Sequence, residues 1–300
     1  MKNKWDTSKI PDQTGQMVLV TGSNSGLGFE TVKALSARGA QVVMAVRDLQ
    51  KGEAARESVV HEHPQVKIDV MKLDLTDLDS VESFATSFLK KYSRLDLLIN
   101  NAGVMVPPFT KTKSGFELQM GVNHLGHFAL TGRLISLIVS SAPSRIVNVA
   151  SMAHLWGKID FNDLHWEKRK YKASQAYADS KIANLYFTYD LGKQLAEKEI
   201  PVLVTAAHPG YTASGLTRHS SFLGLAEKVF AQKTLMGALP SLRAAVDPEV
   251  KNGDYFGPGG FLGMRGYPVK VKSSKSSHNQ QTAIELREVS EELTGVKFKL

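Results

Sequence analysis

The chain contains no cysteine among its 300 residues. It can therefore form no disulfide, no thiolate metal site and no cysteine nucleophile. The absence of thiols fits a reducing compartment, and we expect a cytoplasmic location. Histidine does not replace the missing ligands, because His124, His127, His154 and His208 lack metal-ligand spacing and acidic partner motifs. We expect these four residues to be structural, and we predict no metal site.

Long hydrophobic runs are missing as well. No stretch approaches the roughly 18 apolar residues that a membrane-spanning helix needs, so no integral membrane segment is expected. Residues 1–12 are polar and do not look like a secretory signal. With 42% hydrophobic and 22% charged residues, the chain has enough apolar material for a globular core.

Positive charge is in excess, at a net +8, but it is scattered along the chain. The densest basic cluster consists of Lys168, Arg169, Lys170 and Lys172. We expect a solvated loop there; the alternative is a contact with an anion or a membrane surface. The chain has no nucleic-acid-binding motif and no internal repeat, so no nucleic-acid partner is expected.

Short apolar runs alternate with longer segments of helical periodicity, which predicts βαβ units and a parallel sheet covered on both faces. We predict an α/β fold with a doubly wound, mostly parallel sheet (Rossmann). It forms one domain over residues 1–300, with terminal extensions at about 1–14 and 270–300. The predicted strands are 17–21, 41–46, 66–73, 95–100, 145–150, 200–207 and one short strand within 253–268. The predicted helices are one after the first glycine turn and those at 51–62, 78–92, 116–140, 175–198 and 283–293.

A glycine-rich turn follows the first predicted strand and opens a helix. Glycines permit a tight turn and let a diphosphate approach the free N–H groups of the helix N-terminus. The alternative is a plain strand-to-helix turn, but three glycines within residues 22–28 favour a dinucleotide site. The predicted contacts are Gly22, Ser23, Asn24, Ser25, Gly26, Leu27 and Gly28.

Arg47 stands at the end of the second predicted strand. An acidic residue there would bind the adenosine ribose of NAD, whereas an arginine pairs with the 2′-phosphate of NADP. We predict NADP as the cofactor, with NAD less favoured. Asp48, the next residue, is the reason to keep NAD open.

Tyr177 and Lys181 lie one helical turn apart, so that the ammonium could lower the pKa of the phenol. The spacing alone is weak evidence, because Tyr189 and Lys193 repeat it. Position separates the two pairs. Tyr177 is near the start of its predicted helix, whereas Tyr189 lies about 18 Å further along and about 120° around it. We expect chemistry at Tyr177 and packing at Tyr189.

These motifs together resemble the short-chain dehydrogenase/reductase family over nearly the whole chain. Residues 100–106, 122–128 and 180–184 are similar to the branch of retinol dehydrogenases and related bacterial oxidoreductases. The positions that carry the family resemblance are Thr21, Gly22, Gly26, Gly28, Asp74, Leu75, Asn100, Asn101, Ala102, Gly103, Asn123, Ser151, Tyr177, Lys181, Pro209 and Gly210.

The resemblance implies four catalytic positions. Tyr177 would be the general acid in carbonyl reduction and the base in alcohol oxidation, and Ser151 would hydrogen-bond the substrate oxygen. Lys181 would lower the tyrosine pKa and hold the nicotinamide ribose, and Asn123 would hold a water in a proton relay. The implied cofactor contacts, besides Tyr177 and Lys181, are Asp74, Leu75, Asn100, Ala102, Gly103, Pro209, Gly210 and Thr212.

The chain departs from the family pattern in two ways. Ser151 and Tyr177 are 26 residues apart, which is longer than is common, so an insert at about 154–174 lies beside the expected active site. We expect it to shape the substrate pocket or to obstruct helix faces through which many members assemble, which leaves a homo-oligomer open. Ser214 stands where the family usually has a threonine, and it keeps the hydroxyl.

We predict an NADP-dependent oxidoreductase that transfers a hydride between the nicotinamide and a carbonyl or alcohol substrate. The substrate is expected to be hydrophobic, either retinol-like or another aldehyde or ketone. One alternative is a steroid- or sugar-like alcohol dehydrogenase of the same family, and another is a non-catalytic NADP-binding redox sensor. Residues 211–237 are a candidate lid. The candidate pocket walls are Met105, Met152, Trp156, Tyr211 and Phe222.

Overall fold

A computed structural model describes residues 4–211 and 232–300. Within these residues, eight strands form one sheet. The strands are β1 (Met17–Thr21), β2 (Gln41–Val46), β3 (Lys67–Lys72), β4 (Leu97–Asn100), β5 (Ser144–Val149), β6 (Val202–Ala207), β7 (Tyr255–Pro258) and β8 (Pro268–Lys270). Their order is β3-β2-β1-β4-β5-β6-β7-β8. β1 to β7 run parallel, and β8 pairs antiparallel with β7.

Helices cover both faces of this sheet, so the predicted doubly wound, mostly parallel architecture is confirmed. The predicted elements agree with the observed ones to within a few residues at their ends, apart from the differences given below. The helices are α1 (Gly26–Ser36), α2 (Leu49–Glu62), α3 (Leu78–Lys91), α4 (Leu118–Met120), α5 (Gly126–Ser140), α6 (Ala173–Glu197), α7 (Thr234–Val246) and α8 (Gln280–Thr294).

Local sequence accounts for where these helices begin and end. α3 begins directly after Asp77, whose carboxylate accepts the N–H of Asp79. Its buried face carries Val81, Phe84 and Phe88 at helical spacing. Side-chain caps of this kind satisfy N–H groups that have no partner inside the helix. The last helix, α8, ends at Gly295 with φ 67°, a left-handed backbone that glycine adopts at low cost.

Three features differ from the sequence-based prediction. The predicted helix at 116–140 divides into α4, a π-turn at Gly121–Leu125, and α5. The sequence does not predict α7, because Pro240 lies inside it and proline usually ends a helix. The short strand expected within 253–268 is β7, and β8 follows it as a further, antiparallel strand at the edge of the sheet.

The core lies in two layers, one on each face of the sheet. The first layer contains Phe88 of α3, Phe128 of α5 and Leu191 of α6, and the second contains Leu35 of α1 and Leu239 of α7. The central strands are buried on both faces, as expected when helices flank a parallel sheet.

The end of the chain returns to the first layer. After α8, Val296 is buried, and the ring of Phe298 lies 4.9 Å from that of Phe128, measured between centroids. The side chains of Val296 and Phe298 contact α5 at Gly132, which has no side chain to obstruct them. The last residues of the predicted C-terminal extension are therefore packed onto α5.

The strand order places a crevice next to β1. The chain builds β2 and β3 on one side of β1, then crosses to β4 on the other side. In doubly wound sheets, ligands bind beyond the carboxyl ends of the strands at such a switch point. Among the described residues, no helix is long and apolar enough to cross a membrane.

Candidate active site

The glycine turn between β1 and α1 lies at the crevice and is closely packed. A side chain at Gly28 would place its Cβ 2.6 Å from the carbonyl oxygen of Gly22 and 2.6 Å from Nδ2 of Asn101. Gly22 and Gly26 have φ near +60°, a backbone that suits glycine. Within the described part of the chain, the Ser25 side chain makes no capping bond, so it does not occupy the first N–H groups of α1. This geometry fits the diphosphate of a dinucleotide.

Thr21 joins the glycine turn to the segment after β4. Its hydroxyl oxygen accepts the backbone N–H groups of Asn101 and Ala102, both at 2.9 Å. The Asn101 side chain donates in turn to the carbonyl oxygens of Thr21 and Gly22, at 2.8 and 3.2 Å. The two strand ends are thus held together by hydrogen bonds that run in both directions.

His127 extends this network to the π-turn. Its Nδ1 lies 3.1 Å from the carbonyl oxygen of Asn123, which can only accept, so Nδ1 carries the proton. Burial lowers the pKa of His127 to about 4, and the ring is neutral near pH 7. Nε2 must then accept the hydroxyl proton of Thr21, 2.8 Å away. The expected structural role of His127 agrees with this contact.

Asn123 lies in the π-turn and ties three segments together. Its Oδ1 accepts the N–H of Val104 at 2.8 Å, and its Nδ2 donates to the carbonyl oxygen of Val104 and to the hydroxyl of Ser180 on α6. A Cβ at Gly103 would lie 3.1 Å from Asn123 Oδ1 and 3.6 Å from Lys181 Nζ. Single π-turns of this kind are frequent at functional sites.

α6 carries Tyr177 and Lys181 to the end of β5. Lys181 Nζ donates to the carbonyl oxygen of Val149 at 3.0 Å and lies over the Tyr177 ring, 5.6 Å from its centroid. Burial lowers the pKa of Lys181 to about 8. Asn184, one turn further along α6, donates to the same carbonyl oxygen at 3.0 Å.

Ser151 lies two residues past the end of β5, and its hydroxyl is close enough to the Tyr177 phenol to affect the pKa of that phenol. Burial raises the pKa of the Tyr177 phenol, and the Ser151 hydroxyl offsets part of that rise. Lys181 is not among the causes of this shift, so the lowering of the Tyr177 pKa by the Lys181 ammonium stays a prediction. Ser151 Oγ also accepts the N–H of Ala153 at 3.2 Å, which starts a 3₁₀ turn at Met152–Trp156.

Not every predicted cofactor residue has its side chain at the crevice. Asn100 is buried and donates to Asn148 at 2.8 Å and to Thr131 at 3.1 Å. Leu75 is part of the first core layer. Asp74 accepts both the N–H and the hydroxyl of Thr76 and so forms a local turn after β3.

The end of β2 presents Arg47 as an exposed side chain. Asp48 is engaged otherwise: its carboxylate accepts the N–H of Lys51 at 3.1 Å as the cap of α2 and pairs with the Lys51 ammonium at 3.2 Å.

The segment after β6 forms the remaining wall of the crevice. Gly210 has φ 68°, and its N–H donates to His208 Nδ1 at 3.3 Å. The carbonyl oxygen of Pro209 accepts the side-chain amide of Gln232 at 2.7 Å. Thr212, Ser214 and Phe222, together with most of the candidate lid at 211–237, lie outside the described residues.

The insert at about 154–174 is anchored beside α6. Asp163 accepts the backbone N–H groups of residues 167–169, and the Arg169 guanidinium lies 3.7 Å from the ring centre of Trp166. Arg169 is therefore engaged within the insert, whereas Lys168, Lys170 and Lys172 are exposed, as expected for a solvated loop. Tyr171 donates to the buried carboxylate of Glu117 at 2.9 Å, which links the insert to α4.

The second tyrosine–lysine pair has no part in the crevice. Tyr189 shares a hydrogen bond with Ser273 at 2.7 Å and stacks on His278, with ring centroids 4.4 Å apart. Lys193 pairs with Glu197 at 3.6 Å. Position along α6, rather than spacing, separates the two pairs.

Residues 16–221 match the family model described as short chain dehydrogenase, and the chain belongs to this family. It is an oxidoreductase of the kind that acts on CH–OH groups. Within the family it belongs to the branch of the retinol dehydrogenases.

Named relatives show the same relationship. Retinol dehydrogenase 12 of Mus musculus is 42% identical over 290 residues, which cover 95% of this chain and 88% of that protein. Retinol dehydrogenase 11 of Homo sapiens is 44% identical over 247 residues, covering 81% of this chain and 77% of that protein. A solved structure from Mycobacterium Paratuberculosis is 38% identical, with a TM-score of 0.85 over 99% of this chain and 100% of that chain.

We expect Gly28→Ala to weaken cofactor binding at least about tenfold, because its Cβ would meet the Gly22 carbonyl and force the turn apart. NADPH fluorescence titration measures the effect. Gly115→Ala is the control, since its Cβ would meet nothing within 4 Å, although Gly115, unlike Gly28, has a positive φ. Equal affinity in both variants would contradict a phosphate-binding role for the turn.

Proposed function

We propose that this chain is an NADP-dependent oxidoreductase that interconverts a carbonyl and an alcohol on a hydrophobic substrate. The supporting observation is the convergence of Ser151, Tyr177 and Lys181 at the strand ends beside the glycine turn. A dinucleotide-binding turn alone would not require these three side chains. Their hydroxyl, phenol and ammonium groups suit proton transfer to a reacting oxygen.

In this proposal the Tyr177 phenol donates a proton to the carbonyl oxygen during reduction and accepts it during oxidation. The Ser151 hydroxyl hydrogen-bonds the same oxygen and stabilises its developing charge. The nicotinamide, when bound, supplies or accepts the hydride. Lys181 holds the nicotinamide ribose, and Asn123 is assigned to a proton relay that ends at the Lys181 ammonium.

Cofactor contacts are assigned to the glycine turn (22–28), to Arg47 and to Asp74. Further contacts come from the segments after β4 and β6. Because Leu75 and the side chain of Asn100 are buried, their contribution is limited to backbone atoms. The preference for NADP is supported by the exposed Arg47 and by the engagement of Asp48 as the α2 cap. A capping carboxylate is less available to the ribose hydroxyls of NAD.

The substrate class is supported by the apolar side chains near Ser151 and by the names of the relatives. Met105 and Met152 are half-buried, and Trp156 has 57% of its surface exposed. Retinoids and other lipophilic aldehydes, ketones and alcohols suit such walls. A screen of these compounds, with steroid and sugar alcohols alongside, tests the class. Cofactor binding without any turnover would favour the redox-sensor alternative.

Location and assembly belong to the same proposal. A cytoplasmic protein of one domain stays a prediction, and so does a homo-oligomer. Subcellular fractionation tests the location, limited proteolysis tests the domain number, and light scattering coupled to gel filtration tests the assembly.

We expect Tyr177→Phe to lower kcat by at least about a hundredfold, because the variant lacks the proton that the carbonyl oxygen must receive. NADPH affinity should change little. The matched control is Tyr186→Phe, which removes a hydroxyl from a buried side chain of the same helix and should keep most of the turnover. Full activity in Tyr177→Phe would rule out the proposed mechanism.

Arg47→Asp should reverse the preference between NADPH and NADH. The variant loses the partner of the 2′-phosphate and gains an acceptor for ribose hydroxyls, a change of roughly 1–3 kcal/mol in relative binding. The ratio of kcat/KM for the two cofactors measures it. Lys90→Asp, at an exposed position on α3, is the control for a general change in charge. An unchanged ratio in Arg47→Asp would show that Arg47 does not select the cofactor.

The kcat/KM for NADPH should fall as the pH rises through about 8. Lysine is charged below its pKa, so Lys181 holds its cation up to that pH and loses it above. Tyr177 stays protonated over this range, because its pKa is raised above the ordinary value. A pH series of NADPH saturation curves is the measurement. A flat profile between pH 7 and about 9 would contradict the cationic role of Lys181.

A further inference from the structure

His154 is a buried histidine beside the proposed catalytic serine. It lies in the 3₁₀ turn at Met152–Trp156, and only 2% of its surface is exposed. Its ring packs edge-on against Tyr255, with centroids 5.6 Å apart. Neither the proton transfer nor the cofactor contacts described above involve this residue.

Both ring nitrogens of His154 bind backbone groups. Nδ1 lies 2.6 Å from the carbonyl oxygen of Ser151, and because a carbonyl can only accept, Nδ1 is the protonated nitrogen. Nε2 accepts the backbone N–H of Ser274 at 3.1 Å. The tautomer is therefore set from both sides. Protonation of Nε2 would place two donors face to face, and burial also lowers the pKa of His154.

The segment on the far side of His154 is itself fixed to α6. Ser273 hydrogen-bonds the hydroxyl of Tyr189 at 2.7 Å and Nε2 of His278 at 2.9 Å. His278 stacks on the ring of Tyr189. The helix that carries Tyr177 and Lys181 thus also holds the segment that contacts His154.

On the serine side, His154 contributes two of the contacts that define the backbone of Ser151. The Ser151 carbonyl accepts the backbone N–H of His154 at 3.1 Å as well as Nδ1–H. The Ser151 hydroxyl accepts the N–H of Ala153 at 3.2 Å, which directs the hydroxyl proton away from the 3₁₀ turn. The orientation of this hydroxyl depends on how the Ser151 carbonyl is held.

We propose that His154 is a positioning residue. It fixes the distance between Ser151 and the C-terminal segment around Ser274, and it thereby orients the serine hydroxyl towards the reacting oxygen. The inference rests on the proposed function of Ser151. It assigns part of the catalytic geometry to a segment 123 residues beyond the serine, within the predicted C-terminal extension.

Two amide variants separate the contacts of the imidazole. In His154→Asn the side-chain NH₂ can take the place of Nδ1 and keep the bond to Ser151, whereas in His154→Gln the amide reaches towards Ser274 and the bond to Ser151 is lost. We expect His154→Gln to lower kcat about tenfold, the size of one lost hydrogen bond. KM and NADPH affinity should be nearly unchanged. His154→Asn should retain at least about a third of kcat, and the exposed His61→Gln should match the wild type.

Equal losses of kcat in the Asn and Gln variants, accompanied by equal losses of melting temperature, would overturn the proposal, because a packing role alone predicts that result. An unchanged kcat in His154→Gln would overturn it too. Nitrogen-15 NMR of the histidine rings supplies a readout independent of turnover. The Nδ1–H tautomer is expected at His154, and the Nε2–H tautomer would refute the hydrogen bonds. A wild-type protein without turnover would refute the proposed function, while the nitrogen spectrum would still decide the state of His154.

Discussion

The arrangement of the crevice depends on the hydrogen bonds of the Thr21 hydroxyl. Its oxygen accepts two backbone N–H groups from the segment after β4, and its proton goes to His127. His127 in turn binds the carbonyl of Asn123. A hydroxyl suits this position because it accepts and donates at once, and a buried network is stable only when each polar member finds its partner. The end of β1, the end of β4 and the π-turn thereby behave as one unit.

α6 organises the other side of the crevice through polar groups on a buried face. Lys181 and Asn184 share the carbonyl oxygen of Val149, and Ser180 accepts from Asn123. An ammonium buried against a carbonyl oxygen is only partly compensated, which is why burial lowers the pKa of Lys181. The same helix, about two turns beyond Lys181, holds the C-terminal segment through Tyr189. One helix therefore sets the positions of the reacting groups and of the chain end behind them.

The sequence predicts much of this fold because its signals are local. The buried run of β1, the glycines behind it and the helical periodicity of Val81, Phe84 and Phe88 each act within a few residues. The sequence does not predict α7, because Pro240 disfavours a helix there. Packing of Leu239 and Leu242 against α1 stabilises the helix despite the proline.

The site is predictable in part for the same reason. Motifs mark which segments meet at the crevice, but they do not report the direction of a side chain, and Asn100 turns to Asn148 in the interior. The contacts of His127 with Thr21 and of His154 with Ser274 join residues 106 and 120 positions apart. No pattern in one sequence reveals such pairs.

The π-turn at Gly121–Leu125 has a consequence for how this helix can change. One surplus residue in a helix shifts everything after it by about 100° of rotation. The face of α4 that meets the insert and the face of α5 that carries Phe128 into the core therefore point in different directions around the helix axis. Deleting a single residue there would regularise the helix and rotate one face out of contact. The irregular turn therefore lets a single helical stretch serve two environments, the insert at one end and the first core layer at the other.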